Sequence, residues 1–546
     1  MRHLANFVFC LALLLTEFLG VPAVLAAQSA SEVPRIRSST HLVQIGVIVR
    51  DTKGSVENLT KDDFVVLDRG KQRKISIFST EATKAASRAE RTLPENTYSN
   101  LPQYEASRPK SMTIVLLDNL NTLSGSSPQP YEDAPPWVED HALANGKRHL
   151  LEFLEQMDAQ DRIAIYGLTD SLHVLCDFTC DREQLLAAVG RYDPTSKTQR
   201  ESVEPSNYHT PVPGRFNEIM DTDVRHLAAL KNEDRARLTM AALSAIAAHV
   251  ADTPGRKNLL WLTANLPFSG RSVARILSPA NIAAYPVDSR ELLPRGSSLV
   301  SENGEMGGLA GNALGLDHSA AQGDQPIGIE VMEEMAEDTG GRAFVNTNDL
   351  TSAMRSAVED SAVTYMLGFY VDSDSVDGKF HEVKVRVLRS GLIVRAPKGY
   401  FALKDEPANQ AERHSSFLEA IRSPLSSSSI PLEVKVDRVV QQAHTLQITG
   451  VVGIKALSLP TAGELRKGAV DIYAIEQDAA GKVLQQANWR LNLELTEQEY
   501  QTYLRSGVFF HESVESKDGA TVLRILVQGP GTGAVGSVII PLAQVN

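Results

Sequence analysis

Ser111 to Asp118 reads Ser-Met-Thr-Ile-Val-Leu-Leu-Asp, and Asn119, Leu120, Asn121 and Thr122 follow it. A carboxylate where a buried strand ends stands where open α/β sheets hold ligands, in the crevice beyond the strands' carboxyl ends. The same group would also serve as a turn or helix N-cap residue that accepts backbone N–H bonds. Asp288 closes a second apolar run, Tyr285-Pro286-Val287-Asp288. Asp118 and Asp288 together are the carboxylates a hydrolase of extracellular material would use, although no neighbour of either reads as a partner that raises a pKa. Cys176 and Cys180 form a Cys-Asp-Phe-Thr-Cys segment. In an oxidising compartment that pair permits a disulfide; the other reading is two small, half-buried thiols. Asp372, Asp374 and Asp377 before Gly378 have an acidic loop's composition but miss the EF-hand spacing, so they read as a solvated hairpin loop. No phosphate-binding Gly-Lys-Ser/Thr loop, Gly-x-Ser-x-Gly elbow or His-Glu-x-x-His helix is present.

These residues need elements to position them. Six apolar or β-branched residues run without alternation from Met112 to Leu117, as in a strand covered on both faces. Asp161–Leu168, Asn258–Thr263 and Ile282–Val287 repeat the pattern. Between them lie helical stretches at Val138–Met157, from Asp181 to Val189, at Val224–Val250 and at Ser269–Leu277. Ile327–Asp338, stopping at Gly340-Gly341, and Asp349–Ser361 add two more. Alternating strand and helix predicts an α/β fold: a doubly wound, largely parallel sheet with helices on both faces. Ala343–Val345 reads as a short strand, and Trp137 as part of a Pro-rich loop on the Asp118 side, suited either to a binding surface or to covering the sheet edge.

The chain has 546 residues and hydrophobic content of 42%, enough for several cores. A net charge of −13 argues against a general nucleic-acid binder and against docking on anionic lipid. Residues 1–27 read as a signal peptide: a basic Met1-Arg2-His3, an apolar Phe7–Leu15 and a small-residue cleavage site near Ala26 or Ala27. The expected product is exported, periplasmic or secreted, with no integral membrane segment after cleavage. The further boundaries are an N-terminal β unit (28–80), a linker (81–109), the α/β domain (110–361), a second β unit (362–403), a linker (404–430) and a C-terminal β-sandwich (431–546). Three strands are marginal alone, so the two β units are expected to pair with each other around the inserted α/β domain.

Taken together, several stretches resemble the von Willebrand factor A (vWA) family, in the VWFA-related form of exported acidobacterial proteins. They are Leu59-Thr60-Lys61-Asp62-Asp63-Phe64, Leu116-Leu117-Asp118, Pro254-Gly255-Arg256-Lys257-Asn258-Leu259, Tyr285-Pro286-Val287-Asp288, Thr339-Gly340-Gly341-Arg342-Ala343-Phe344 and Tyr365-Met366-Leu367-Gly368-Phe369-Tyr370. The likeness spans about Ser39 to Ala402 and leaves the C-terminal β part outside it.

The resemblance implies a divalent cation, Mg²⁺, Mn²⁺ or Ca²⁺, held by oxygen ligands at the end of the first core strand, with an open position for a partner's carboxylate. Asp118, Thr122 and Thr179 stand at three family ligand positions. Leu120 and Ala264 stand where the family has a Ser and an Asp, so the implied site is incomplete, with Asn121 or Asn265 as possible neutral substitutes. The implied function is a non-enzymatic binding or adhesion protein that engages a protein partner or extracellular ligand through the loops around Asp118. The alternatives are the hydrolase and a purely structural element of the cell envelope.

Overall fold

The computed structural model describes residues 40–545, leaving out 83–92, 102–110, 122–136, 158–160, 194–214, 290–327, 404–407 and several shorter stretches. The expected signal peptide, Thr122, Asn265 and Asp374 therefore lie outside the described residues. Five strands come first: β1 (Thr40–Asp51), β2 (Gly54–Ser55), β3 (Phe64–Asp68), β4 (Lys71–Arg73) and β5 (Ile77–Ala82). After β6 (Thr97–Ser99) the chain alternates through β7 (Ser111–Asp118), α1 (Trp137–Glu155), β8 (Asp161–Leu168), β9 (Leu172–Cys176), α2 (Arg182–Arg191) and α3 (Arg215–His249). It continues through β10 (Lys257–Thr263), α4 (Gly270–Leu277), β11 (Ile282–Asp288), α5 (Ile329–Thr339) and α6 (Leu350–Glu359).

The central sheet has the order β11-β10-β7-β8-β9. Its first four strands are parallel, and β9 runs antiparallel to β8. The unbroken apolar run of β7 has a simple cause. Ile114 and Leu116 pack on one face with Leu243 and Ile246 of α3, Val273 of α4 and Met335 of α5. Val115 and Leu117 pack on the other with Leu150 of α1, Leu185 of α2 and Met354 of α6. Both pleat directions meet helices, so neither position can be polar. Local signals agree with the tertiary ones: Asp181 caps α2 by accepting the Gln184 amide at 2.8 Å. α5 ends at Gly340, whose φ of 77° favours glycine. A Cβ on the next residue, Gly341, would sit on the Ala284 carbonyl, so the second glycine supplies space rather than a turn.

Four strands come next: β12 (Val363–Asp372), β13 (Phe380–Val387), β14 (Ile393–Arg395) and β15 (Gly399–Phe401). β1 pairs antiparallel with β12 and β14, and β3 with β13. The resulting sheets, β14-β1-β12-β5 and β15-β13-β3-β4, share one core that includes Val47, Phe64, Val66, Tyr365 and Leu367. Strands from either end of the α/β domain thus complete each other.

The remainder comprises α7 (Gln410–Arg422), β16 (Leu432–Val439), β17 (Gln442–Val452), β18 (Thr461–Ala462), β19 (Leu465–Gln477), β20 (Val483–Thr496), α8 (Glu497–Ser506), β21 (Val508–Glu515), β22 (Val522–Gln528) and β23 (Val535–Pro541). One sheet, β21-β17-β16-β6, and another, β18-β19-β22-β23 with β20 on β19, close over a single core containing Val434, Ile448, Ile472 and Ile525.

Several expectations need correction. The segment 81–109 is not only a linker: β6 lies in it and pairs with β16, and Asn100 donates to the Ser427 and Ile430 carbonyls at 2.6 and 2.8 Å. A three-residue strand with a distant partner has no period to read. The stretch 431–546 is not all strand, since α8 interrupts it. Its Thr496–Glu499 capping box, with Thr496 N donating to Glu499 at 2.8 Å, is a local signal for that helix. Ala343–Val345 forms only a single bridge, Phe344 to Val287. Trp137 opens α1 rather than lying in a loop, and α3 begins at Arg215, earlier than Val224. No helix among the described residues is long and apolar enough to cross a membrane.

His249, at the end of α3, ties the α/β domain to the segment before β16. Its Nδ1 lies 2.7 Å from the Ser426 carbonyl and its Nε2 3.2 Å from Asp177, so both ring nitrogens face acceptors. Burial opposes the imidazolium, but Asp177 and Ser426 outweigh it, and the His249 pKa is raised above the ordinary 6.5. A raised histidine pKa adds stability that is whole below the unfolded value and lost as pH climbs through the folded one. The unfolding free energy should therefore decline from pH 6.5 upward, by about 1 kcal/mol because Asp177 is partly open to solvent, and the thermal midpoint should fall with it. His249→Gln should flatten that slope in a melting series; an unchanged slope would assign it elsewhere.

Candidate functional site

Asp118 ends β7 between the ends of β8 and β10. Chain direction reverses there: β7 leads to β8 and β9 on one side, and β10 to β11 on the other. That is the switch point at which open α/β sheets form a crevice. Asp118 does not open into it. The residue is 1% exposed, and Asn121, Trp261 and Thr263 around it are fully buried.

Its carboxylate is enclosed by donors. Oδ1 accepts the Asn121 amide N–H at 2.9 Å. Oδ2 accepts Asn121 Nδ2 at 2.9 Å, Trp261 Nε1 at 2.8 Å and Thr263 Oγ1 at 3.0 Å. Asn121 Nδ2 also donates to Thr239 Oγ1 at 2.9 Å, which links the cluster to α3. Burial pushes the Asp118 carboxyl up from the usual carboxylate range, and these hydrogen bonds pull against that shift.

The donor set as arranged does not fit a divalent cation. A hard cation needs oxygen lone pairs aimed at it, whereas the Asp118 oxygens are met by N–H and O–H groups, one of them an indole N–H. Leu120 packs into the apolar cluster on the α3 face. Ala264 is buried and has no side-chain oxygen to offer. Thr179 is at the wrong end of the sheet. β9 runs antiparallel with Cys176 opposite Ile165, so the residues after β9 lie at the amino ends of the parallel strands, away from Asp118. Among the described residues, no group of three or more His, Cys, Asp or Glu side chains could hold a metal.

Thr179 belongs instead to the Cys176–Cys180 loop, where the two cysteines are joined in a disulfide with Cα atoms 6.1 Å apart. Asp288 pairs in register with Thr263 on the neighbouring strand, and its amide donates to the Phe344 carbonyl at 3.0 Å. Of the acidic hairpin residues, Asp377 is engaged internally: it accepts the Lys379 amide and lies 2.9 Å from His381 Nε2.

Two further residues feel the Asp118 charge. Tyr192, beyond α2, packs its ring against Gly167 in the space a Cβ would occupy. Burial first, and Asp118 second, push its hydroxyl pKa up. Arg235 of α3 has its pKa lowered by burial and partly restored by Asp118. Arg235 Nη1 donates to Asn232 Oδ1 at 3.2 Å, while Arg235 Nε and Nη2, Tyr192 Oη and Asn121 Oδ1 are buried without a hydrogen-bond partner among the described residues. Three of these four atoms are donors. Tyr192, Arg235, Trp261 and Thr263 were not singled out from sequence. Only Trp261 carried a signal: an indole inside a fully buried strand needs an acceptor for its N–H.

No family model and no curated protein matches the chain. Among solved structures, BatB from Bacteroides thetaiotaomicron aligns at 12% identity and TM-score 0.24, covering 46% of this chain and 98% of that one. A von Willebrand factor type A protein from Catenulispora acidiphila aligns at 8% identity and TM-score 0.23, covering 86% and 74%. The mussel byssus proximal thread matrix protein 1 with a zinc-occupied MIDAS motif aligns at 11% identity and TM-score 0.23, covering 47% and 48%. Likeness this slight carries no argument about the site.

Proposed function

We propose that the chain is an exported, non-enzymatic binding protein whose vWA-like α/β domain engages a protein partner at the carboxyl end of its sheet without a bound cation. One observation carries the reading: at the switch point, where open α/β sheets bind their ligands, the carboxylate is sealed by Asn121, Trp261 and Thr263, which leaves the exposed loops around it, such as the Asp170-Ser171 turn, as the surface a partner meets. A catalytic acid or base needs access to substrate, and Asp118 is committed to four internal donors. The sheet order, with Phe344 bridging beyond β11, supports the vWA-like assignment.

The test is site-specific photo-crosslinking of the full chain in its native envelope, with EDTA present. A probe at exposed Ser171, in the β8–β9 turn at the carboxyl end, should capture a discrete protein. A probe at exposed Glu183, at the amino end, should not. Equal capture at both positions, or capture at Ser171 that disappears with EDTA, would sink the reading.

A further inference from the structure

An open cavity of about 1080 Å³ lies between α7 and strands β19, β20 and β22. Among the described residues, four arginines line it, Arg413, Arg422, Arg490 and Arg524, against one carboxylate, Asp471. That carboxylate is already held by Arg490 in a two-point pair at 2.7 and 3.1 Å. The wall is therefore cationic in a chain whose net charge is −13. Its apolar part is Phe417, Leu418, Ile421 and Tyr473, with the Phe417 and Tyr473 rings 4.6 Å apart.

Arg524 is the unusual member. It is 5% exposed, and its Nη1 and Nη2 donate to the neutral Ala420 and Ser423 carbonyls, each at 2.9 Å. Among the described residues its Nε has no hydrogen-bond partner and no carboxylate pairs with it. Burial alone lowers its pKa to about 10. A buried cation balanced only by neutral dipoles is costly, and an anion beside it relieves that cost.

We propose that this cavity binds a small organic carboxylate, its charged end toward Arg524 and Arg413 and its apolar or aromatic body along Phe417, Ile421 and Tyr473. The site is separate from the Asp118 region and does not depend on the reading given for it. A planar carboxylate suits a guanidinium-lined wall, and the apolar remainder gives an inorganic anion nothing to bury. The volume is slightly above the range of about 300–1,000 Å³ of small-molecule sites.

The probe is 4-fluorophenylacetate, followed by ¹⁹F line broadening on the full chain, with 4-fluorobenzyl alcohol and inorganic phosphate as comparisons. The carboxylate should bind with a Kd below about 1 mM, and the alcohol and phosphate roughly tenfold more weakly. Arg524→Gln should abolish binding. Because Arg524 also holds the last turn of α7, Arg413→Gln and Phe417→Ala provide independent checks, each weakening binding roughly five- to tenfold. Equal binding of the alcohol or phosphate, no saturable binding of the carboxylate, or unchanged binding in Arg413→Gln and Phe417→Ala together would overturn the proposal.

Discussion

Asp118→Ala should destabilise the α/β domain by about 3–5 kcal/mol, the range for removing one side of a buried, hydrogen-bonded charge. The four donors around Asp118, including Trp261 Nε1 and Thr263 Oγ1, would be left in a site that water does not reach. Asp118→Asn should cost nearly as much, since an amide directs at least one N–H against those donors. Denaturant unfolding followed through indole fluorescence would report it, because Trp261 is both partner and probe. EDTA separates this account from a metal site. If Asp118 served a cation, chelation would lower the wild-type midpoint toward that of the mutant; here the wild type should not respond. A large EDTA effect, or a mutant within about 0.5 kcal/mol of wild type, the range of an ordinary surface substitution, would refute the sealed-carboxylate account.

Asp360→Ala should produce a comparable loss at a different place, about 3–5 kcal/mol. Asp360 lies just after α6, is fully buried, and accepts from Arg50 Nη1 at 2.7 Å, from Arg395 Nη1 and from the Tyr285 hydroxyl at 3.3 Å. Arg50 lies on β1 and Arg395 on β14, whereas Tyr285 lies on β11, so one carboxylate joins the flanking β sheets to the central one. Among the described residues, its removal leaves Arg395 without this partner and Arg50 with only the exposed Glu359, 3.5 Å away. Amide hydrogen exchange should show protection falling first in β1 and β14 and persisting in β7. Uniform loss across all three would mean the domains unfold together and that Asp360 does not act as a coupling point.

The stretches that carried the family resemblance turn out to be largely structural. Arg256 donates to the Gly340 carbonyl at 2.6 Å and to the Tyr285 hydroxyl at 3.3 Å, and Asn258 to the Ala357 carbonyl at 2.8 Å. Arg256, Tyr285 and Gly340 therefore meet one another, and Tyr285 reaches Asp360, in buried packing rather than on a binding face. Their spacing showed the fold because each is required by close packing, and packing recurs wherever the strands do.

Sequence by itself determined the elements whose cause is local or periodic. The unalternating run ending at Asp118 meant a strand covered on both faces, strand–helix alternation meant an α/β sheet, and glycines after Thr339 ended a helix. It also determined that Leu120 and Ala264 could not supply side-chain oxygens. Tertiary structure alone decided what became of Asp118. Its donors Trp261 and Thr263 come from a strand more than a hundred residues later, and no spacing rule links positions that meet only through sheet order. The direction of β9 decided where Thr179 lies, since antiparallel pairing returns the chain to the opposite end of the sheet. The same holds for β6 on β16 and for Arg524 under α7: contacts between distant segments depend on how the chain closes, and side-chain type alone does not record that.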